Sequence, residues 1–161
     1  MPVTEGKKAP AFTLRDSTGH KVSLADYAGQ NVVLYFYPRD DTPGCTQEAR
    51  GFRDRWRKIQ KLNAVVLGVS PDGPEAHQKF AAKYKLPFTL LCDPTKKTME
   101  KYGAWGEKTL YGRTSIGMTR STFIIGPDGK LTRVWKRATA ANNGEVVLKA
   151  LREARERAVA T

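Results

Sequence analysis

Cys45 stands between a polar turn and a helix in the run Tyr37-Pro38-Arg39-Asp40-Asp41-Thr42-Pro43-Gly44-Cys45-Thr46-Gln47-Glu48-Ala49. An apolar strand, Val32 to Tyr37, feeds the turn, and a helix is expected to begin at Thr46. The spacing puts a thiol at the mouth of a helix N-terminus, where unpaired N–H groups and the helix dipole favour an anion. Thiolate is the reactive form of cysteine, so this placement predicts a nucleophile. Free cysteine is often only a small apolar core residue. The Pro/Gly turn before Cys45 and the helix after it predict instead a thiol that is not buried. His20 beside a turn and His77 on a helix have no partner that sequence can name.

The bulk numbers fit that chemistry. A length of 161 residues suits one domain, 1–161, with its own hydrophobic core. Hydrophobic residues make up 40%, as in a soluble globular protein, and no apolar run is long enough to span a membrane. The first residues, Met1 to Lys8, lack the apolar core of a secretory signal, and the early Glu5 argues against a transit peptide, so a cytoplasmic protein is expected. A secreted disulfide scaffold would carry more than Cys45 and Cys92, and two cysteines with two histidines match no usual metal-ligand spacing. No metal is therefore expected.

The net charge is +12, from 28 Lys+Arg against 16 Asp+Glu, which raises contact with nucleic acid as a possibility. The basic residues gather at Arg50, Arg53, Arg55, Arg57, Lys58 and Lys61, and again at Lys149, Arg152, Arg155 and Arg157. Both stretches read as solvated helix faces, and no zinc-finger, RNP or basic-zipper pattern accompanies them. Nucleic acid is expected to bind non-specifically if at all.

The elements that must position Cys45 alternate between strand and helix. Phe12–Asp16 and Lys21–Leu24 form a small hairpin about Ser17–His20, and Ser23 caps a short turn stopped by Gly29. Val32–Tyr37 is apolar without alternation, which suits a central strand covered on both faces. Ala49, Phe52, Trp56, Ile59 and Leu62 form one apolar stripe, predicting a single helix from Thr46 to Leu62. Ala64–Ser70 is the next buried strand, followed by a helix with Pro74 at its start and Tyr84 at its end. Thr89–Cys92 is a short strand and Lys96–Tyr102 a short helix ended by Gly103. Ala104–Met118 is rich in glycine and polar residues and reads as a long functional loop. Ser121–Ile125 and Leu131–Trp135 pair across a tight turn, and a final helix runs from about Glu145 to Arg157 with Val147, Leu148, Leu151 and Ala154 inward. Trp56, Trp105 and Trp135 are expected to pack rather than bind. The sum is an α/β chain with a mixed central sheet and helices on both faces.

The pattern Pro38-x-x-x-Thr42-x-x-Cys45 resembles the active-site signature of peroxiredoxins, which have a thioredoxin-like fold. Asp41 to Ala49, Tyr102-Gly103-Ala104-Trp105-Gly106-Glu107-Lys108 and Arg120-Ser121-Thr122-Phe123-Ile124-Ile125 narrow the likeness to the bacterioferritin-comigratory (PrxQ-type) subfamily. The resemblance covers nearly the whole chain, from Gly6 to the last helix. It implies an antioxidant thiol peroxidase acting on hydrogen peroxide and organic hydroperoxides, reduced by thioredoxin or another thiol, with no metal, flavin or haem. It implies that Cys45 attacks the peroxide and becomes a sulfenic acid. Thr42 would hydrogen-bond the peroxide, Arg120 would stabilise the thiolate and the polarised oxygens, and Pro38 would shield the pocket. Gly44 lends backbone N–H groups at the helix start, and Glu48 matches a position that orients Arg120. A monomer, or at most a weak dimer, is implied.

Two departures from the subfamily matter. Many members carry a resolving cysteine five residues after the first, where this chain has Arg50, and others carry it on the next helix, where Phe80-Ala81-Ala82 stands. Cys92 remains. Either a one-cysteine mechanism operates with Cys92 structural, or Cys92 resolves. Arg50 places a cation one turn after Cys45 and favours the thiolate if its head group reaches back.

Overall fold

The computed structural model describes residues 3–160, apart from the side chains of residues 110 and 160; Met1, Pro2 and Thr161, at the ends of the expected span, lie outside the described residues. Three parallel strands form the centre: β3 (Asn31–Phe36), β4 (Ala64–Ser70) and β5 (Thr89–Cys92). Antiparallel strands complete both sides. The hairpin of β1 (Thr13–Asp16) and β2 (Lys21–Ser23) joins at β5, and β8 (Ser121–Ile125) with β9 (Leu131–Trp135) joins at β3. The resulting seven-stranded sheet has the order β2-β1-β5-β4-β3-β8-β9.

Strand β3 explains its own unbroken apolar run. Val33, Tyr35 and Tyr37 face one core with Phe52, Ile59, Phe80 and Leu151, while Val32, Leu34 and Phe36 face the other with Met99, Tyr102 and Phe123. A strand covered on both sides has no solvent face on which polarity could alternate. Each large apolar side chain buried this way stabilises the fold by about 1.5–3 kcal/mol. The helices supplying these covers are α1 (Pro43–Asp54), α2 (Trp56–Gln60), α3 (Pro74–Tyr84), α4 (Lys97–Lys101) and α5 (Asn143–Ala160). The three tryptophans pack at the margins of the two cores. Among the described residues, no helix is long and apolar enough to cross a membrane.

Several expectations need correction. The helix expected from Thr46 to Leu62 starts at Pro43 and breaks at Arg55, whose φ of −108° and ψ of 6° leave the helical basin. Pro43 suits the first helical position because it brings the right φ and no N–H to satisfy. The break is held by Arg55, whose Nη1 donates to the Gly51 carbonyl at 3.1 Å. The stretch 104–118 is not a loop. It is a second, two-stranded sheet, β6 (Trp105–Leu110) against β7 (Arg113–Met118). Tyr111 and Gly112 turn it with φ of 53° and 76°, the paired positive values of a type I′ hairpin. Tyrosine rarely adopts that conformation, so composition alone pointed elsewhere. The last helix starts two residues before the expected Glu145, at Asn143, and Ala154 is half-buried.

That early start of α5 matters for the site. A Cβ on Gly144 would lie 2.7 Å from the carbonyl carbon and oxygen of Gly51, so only glycine lets the backbones of α5 and α1 meet there. The contact sets Asn143 beside the first turns of α1.

Candidate active site

Thr42 is extended (φ −94°, ψ 157°) and stands just before α1, so Cys45 is the third helical residue. Its carbonyl accepts the Thr46 N–H at 2.8 Å, which closes the first turn. Gly44 and Cys45 therefore sit where backbone N–H groups have no intrahelical acceptor. The expected open thiol is instead only 1% exposed. It is buried because the turn that carries it is helical and joins the core of Ala49 and Phe52.

Burial has not left the thiol in an apolar setting. Arg120, which precedes β8, donates from Nη2 to Cys45 Sγ at 3.4 Å. Its Nη1 donates to Glu48 Oε1 at 2.5 Å. A Cβ on Gly44 would approach Arg120 Nη2 to 3.2 Å, so the small residue there makes room for the guanidinium. Glu48 is fully buried, one turn beyond Cys45, and its Oε2 accepts from Asn143 Nδ2 at 2.7 Å. The same amide donates to Thr122 Oγ1 at 2.8 Å. A continuous chain thus runs from α5 through Asn143, Glu48 and Arg120 to sulfur.

The charges in that chain oppose one another. Burial pushes the Glu48 carboxyl up to about 7, against the pull of the Arg120 charge and of the Asn143 and Arg120 hydrogen bonds. Partial burial works against the Arg120 charge, but Glu48 and Cys45 outweigh it and raise Arg120 above its ordinary value. A cation held at one end by a carboxylate and touching sulfur at the other bonds more strongly to thiolate than to thiol.

Thr42 Oγ1 donates to the Arg39 carbonyl at 3.1 Å, leaving its oxygen lone pairs available as acceptors. Pro38 is exposed at the start of the loop, not seated in the core. Beside these residues opens a cleft of about 470 Å³ lined by Thr42, Pro43, Thr46, Gln47, Arg50 and Tyr84, among others. Arg50 is exposed and, among the described residues, its side chain makes no hydrogen bond or ion pair; the guanidinium that reaches back to sulfur is that of Arg120. Cys92 lies elsewhere, 7% exposed at the end of β5, paired in register with Ser70 of β4 and Arg15 of β1. Burial, then the charges of Asp40, Asp16 and Asp72, push its thiol up to about 11.

Sequence reasoning missed Asn143 and Thr122. Asn142-Asn143-Gly144 carried a helix-start signal, but that signal says nothing of a partner 95 residues away.

A mixed sheet of this topology, with a cysteine in the first turn of the helix after its central strand, defines a thioredoxin-like fold with a thiol at a helix start. Comparison with known proteins agrees. The family model described as AhpC/TSA matches residues 5–134. The peroxiredoxin Bcp of Bacillus subtilis is 41% identical over 157 residues, covering 98% of this chain and all of that one. The peroxiredoxin Bcp of Escherichia coli is 43% identical over 152 residues, covering 94% of this chain and 97% of its own. Among solved structures, the bacterioferritin comigratory protein of Xanthomonas campestris superposes with a TM-score of 0.86 at 33% identity, covering 93% of this chain and 98% of that one. The chain belongs to the AhpC/TSA family, as a peroxiredoxin of the Bcp or PrxQ type. It is a thiol-dependent peroxidase.

Proposed function

We propose that Cys45 is the peroxidatic residue and that the enzyme works with this one cysteine. The thiolate of Cys45 attacks the terminal oxygen of a hydroperoxide ROOH. The S–O bond forms as the O–O bond breaks, and the departing RO⁻ takes a proton to leave as ROH, or as water from hydrogen peroxide. Sulfur is oxidised to the sulfenic acid. The observation that carries this reading is the Arg120 guanidinium, bonded at once to Cys45 Sγ and to the buried Glu48. Arg120 stabilises sulfur before attack and the oxygens as they gain charge. Thr42 accepts the hydrogen bond of the peroxide O–H, Gly44 and Cys45 offer backbone donors, and Pro38 walls the loop side. Glu48 keeps Arg120 in place.

An external thiol then displaces water from the sulfenic acid to give a mixed disulfide. A second thiol releases Cys45 as thiol, with the two donor sulfurs joined. Thioredoxin or a small thiol serves as donor. The position of Arg50, where many relatives hold a resolving cysteine, supports this reading. So does Cys92, since a thiol pushed up to about 11 is a poor nucleophile near neutral pH. Alkyl peroxide reduction activity belongs to the Xanthomonas campestris relative, and we extend that substrate class, with hydrogen peroxide, to this chain. We place the enzyme in the cytoplasm as a single-domain monomer.

Intact mass after one equivalent of hydrogen peroxide, with thiols blocked at once, tests the mechanism. One added oxygen on Cys45 with Cys92 still free is the expected result. Loss of two hydrogens, absent in Cys92→Ser, replaces it with a Cys45–Cys92 disulfide mechanism.

A further inference from the structure

The loop carrying Arg39 and Thr42 is anchored by charged and polar groups that the peroxidase reading leaves unused. His77 of α3 is fully buried. Its Nε2 lies 2.9 Å from the Leu91 carbonyl of β5, and its Nδ1 lies 2.6 Å from Asp40 Oδ2. A carbonyl oxygen only accepts, so Nε2 carries a hydrogen, and one further proton must occupy the contact between Nδ1 and Asp40. Asp40 Oδ1 accepts from the Tyr37 hydroxyl at 2.6 Å. The Asp40 N–H donates to Asp72 Oδ2 at 2.8 Å, and Ser70 Oγ donates to the same oxygen at 2.7 Å. Asp40 therefore joins the ends of β3 and β4, the segment after β4, and α3.

The next residue repeats the grip. Asp41 has a φ of 58°, and its carboxylate accepts from Lys83 Nζ and Tyr84 Oη of the same helix, each at 2.8 Å. Asp40, Asp72 and His77 come within 4.8 Å of one another, yet both imidazole nitrogens are already engaged inside the protein, so the cluster is built to hold the loop rather than an ion.

We propose that Asp40 and His77 are a buried positioning pair that fixes the Arg39 carbonyl, and through it the Thr42 hydroxyl, for the peroxide. The proposal rests on the reading of Cys45 as the peroxidatic residue. Arg39 immediately precedes Asp40, and its carbonyl is the acceptor that orients Thr42 Oγ1. Neither Asp40 nor His77 bonds to Cys45 or Arg120, so the pair acts on the loop and leaves the sulfur–guanidinium contact intact. A buried polar set that loses one member leaves the rest unsatisfied, and a small displacement of a reacting group is costly in rate.

The test compares two reactions of Cys45 in the intact chain: oxidation by hydrogen peroxide and alkylation by iodoacetamide. Alkylation needs the thiolate but not Thr42. Asp40→Ala is expected to slow oxidation by on the order of tenfold or more while alkylation stays within about twofold of wild type. Asp40→Asn restores oxidation, because its amide can donate to Nδ1 of a neutral His77 while its oxygen still accepts from Tyr37. Oxidation of folded Asp40→Ala at the wild-type rate overturns the proposal, as does an Asp40→Asn no faster than Asp40→Ala. If Asp40→Ala does not fold, Tyr37→Phe decides: it keeps the ring and removes the hydroxyl that donates to Oδ1, so oxidation slower by about threefold with alkylation unchanged supports the pair, and an unchanged oxidation rate refutes it. A wild-type protein that forms no sulfenic acid on Cys45 would defeat the peroxidatic reading itself, a result separate from any difference among the variants.

Discussion

Cys45 and Cys92 are the same residue in nearly the same depth of protein, 1% and 7% exposed, and their surroundings are opposite in sign. Cys45 faces a guanidinium at 3.4 Å, at the start of a helix. Cys92 closes a strand, with Asp40, Asp16 and Asp72 contributing to its surroundings. Depth alone does not decide what a buried thiol has for neighbours to its charge. The nearest fixed charge matters, because a buried anion without a partner is strongly disfavoured while one beside a cation is not.

The largest blow to that contrast removes the cation. Arg120→Ala is expected to lower the rate of Cys45 oxidation by on the order of 10²-fold, the usual cost of losing a preorganised donor at developing charge. Arg120→Lys should recover little of it, since an ammonium has no planar fork to bond Glu48 and sulfur together. Stopped-flow oxidation with each variant measures both, and a Lys variant as fast as wild type would reduce the role of Arg120 to charge alone.

A smaller effect comes from Glu48. With its carboxyl at about 7 in the folded chain against an ordinary 4.5, the folded state holds a proton that the unfolded state releases. This contribution to stability is fully present below about 4.5 and is lost as pH rises through about 7, so Glu48 becomes a net cost at alkaline pH. Function should run the other way: the Arg120–Glu48 ion pair completes only as Glu48 ionises. The oxidation rate is therefore expected to rise across an inflection near pH 7 that Glu48→Gln removes. An inflection that persists in the variant assigns it to another group.

The mildest probe leaves the sequence untouched. Iodoacetamide at pH 8 should modify Cys45 and spare Cys92 in the folded chain, with Cys92 reacting only as pH approaches about 11. In denaturant the two should react alike. Equal labelling of the native protein would erase the contrast.

How far the sequence foretold these surroundings depends on distance along the chain. The double-sided burial of β3 was legible in Val32–Tyr37, and the β8–β9 turn in Gly126-Pro127-Asp128-Gly129, because both are written in neighbouring residues. The Thr42–Cys45 turn was legible for the same reason, though its helix begins three residues before Thr46 and hides the thiol. Arg120 entered only through resemblance to a family, since 75 residues separate it from Cys45. Asn143 had a visible local reason to exist, as a residue at a helix start, which concealed its second task on Glu48. His77 could have been placed inward from sequence: it shares the three-and-four spacing of Phe80, Ala81 and Tyr84 on α3. Its partner Asp40 could not, because nothing local joins a loop to a helix 37 residues on. Hairpin β6–β7 was lost to a tyrosine in a conformation the residue seldom takes.

The close seating of Gly144 on Gly51 has a consequence in time as well as space. Cys45 and Glu48 lie in the first third of the chain, whereas Arg120, Thr122 and Asn143 lie in the last. During synthesis at roughly 5–20 residues per second, Cys45 emerges seconds before Arg120 and Asn143. A nascent or truncated chain lacking α5 presents Cys45 without its buttressed guanidinium. On the proposed reading, the centre is thus assembled last, by the same backbone contact that seats α5 on α1.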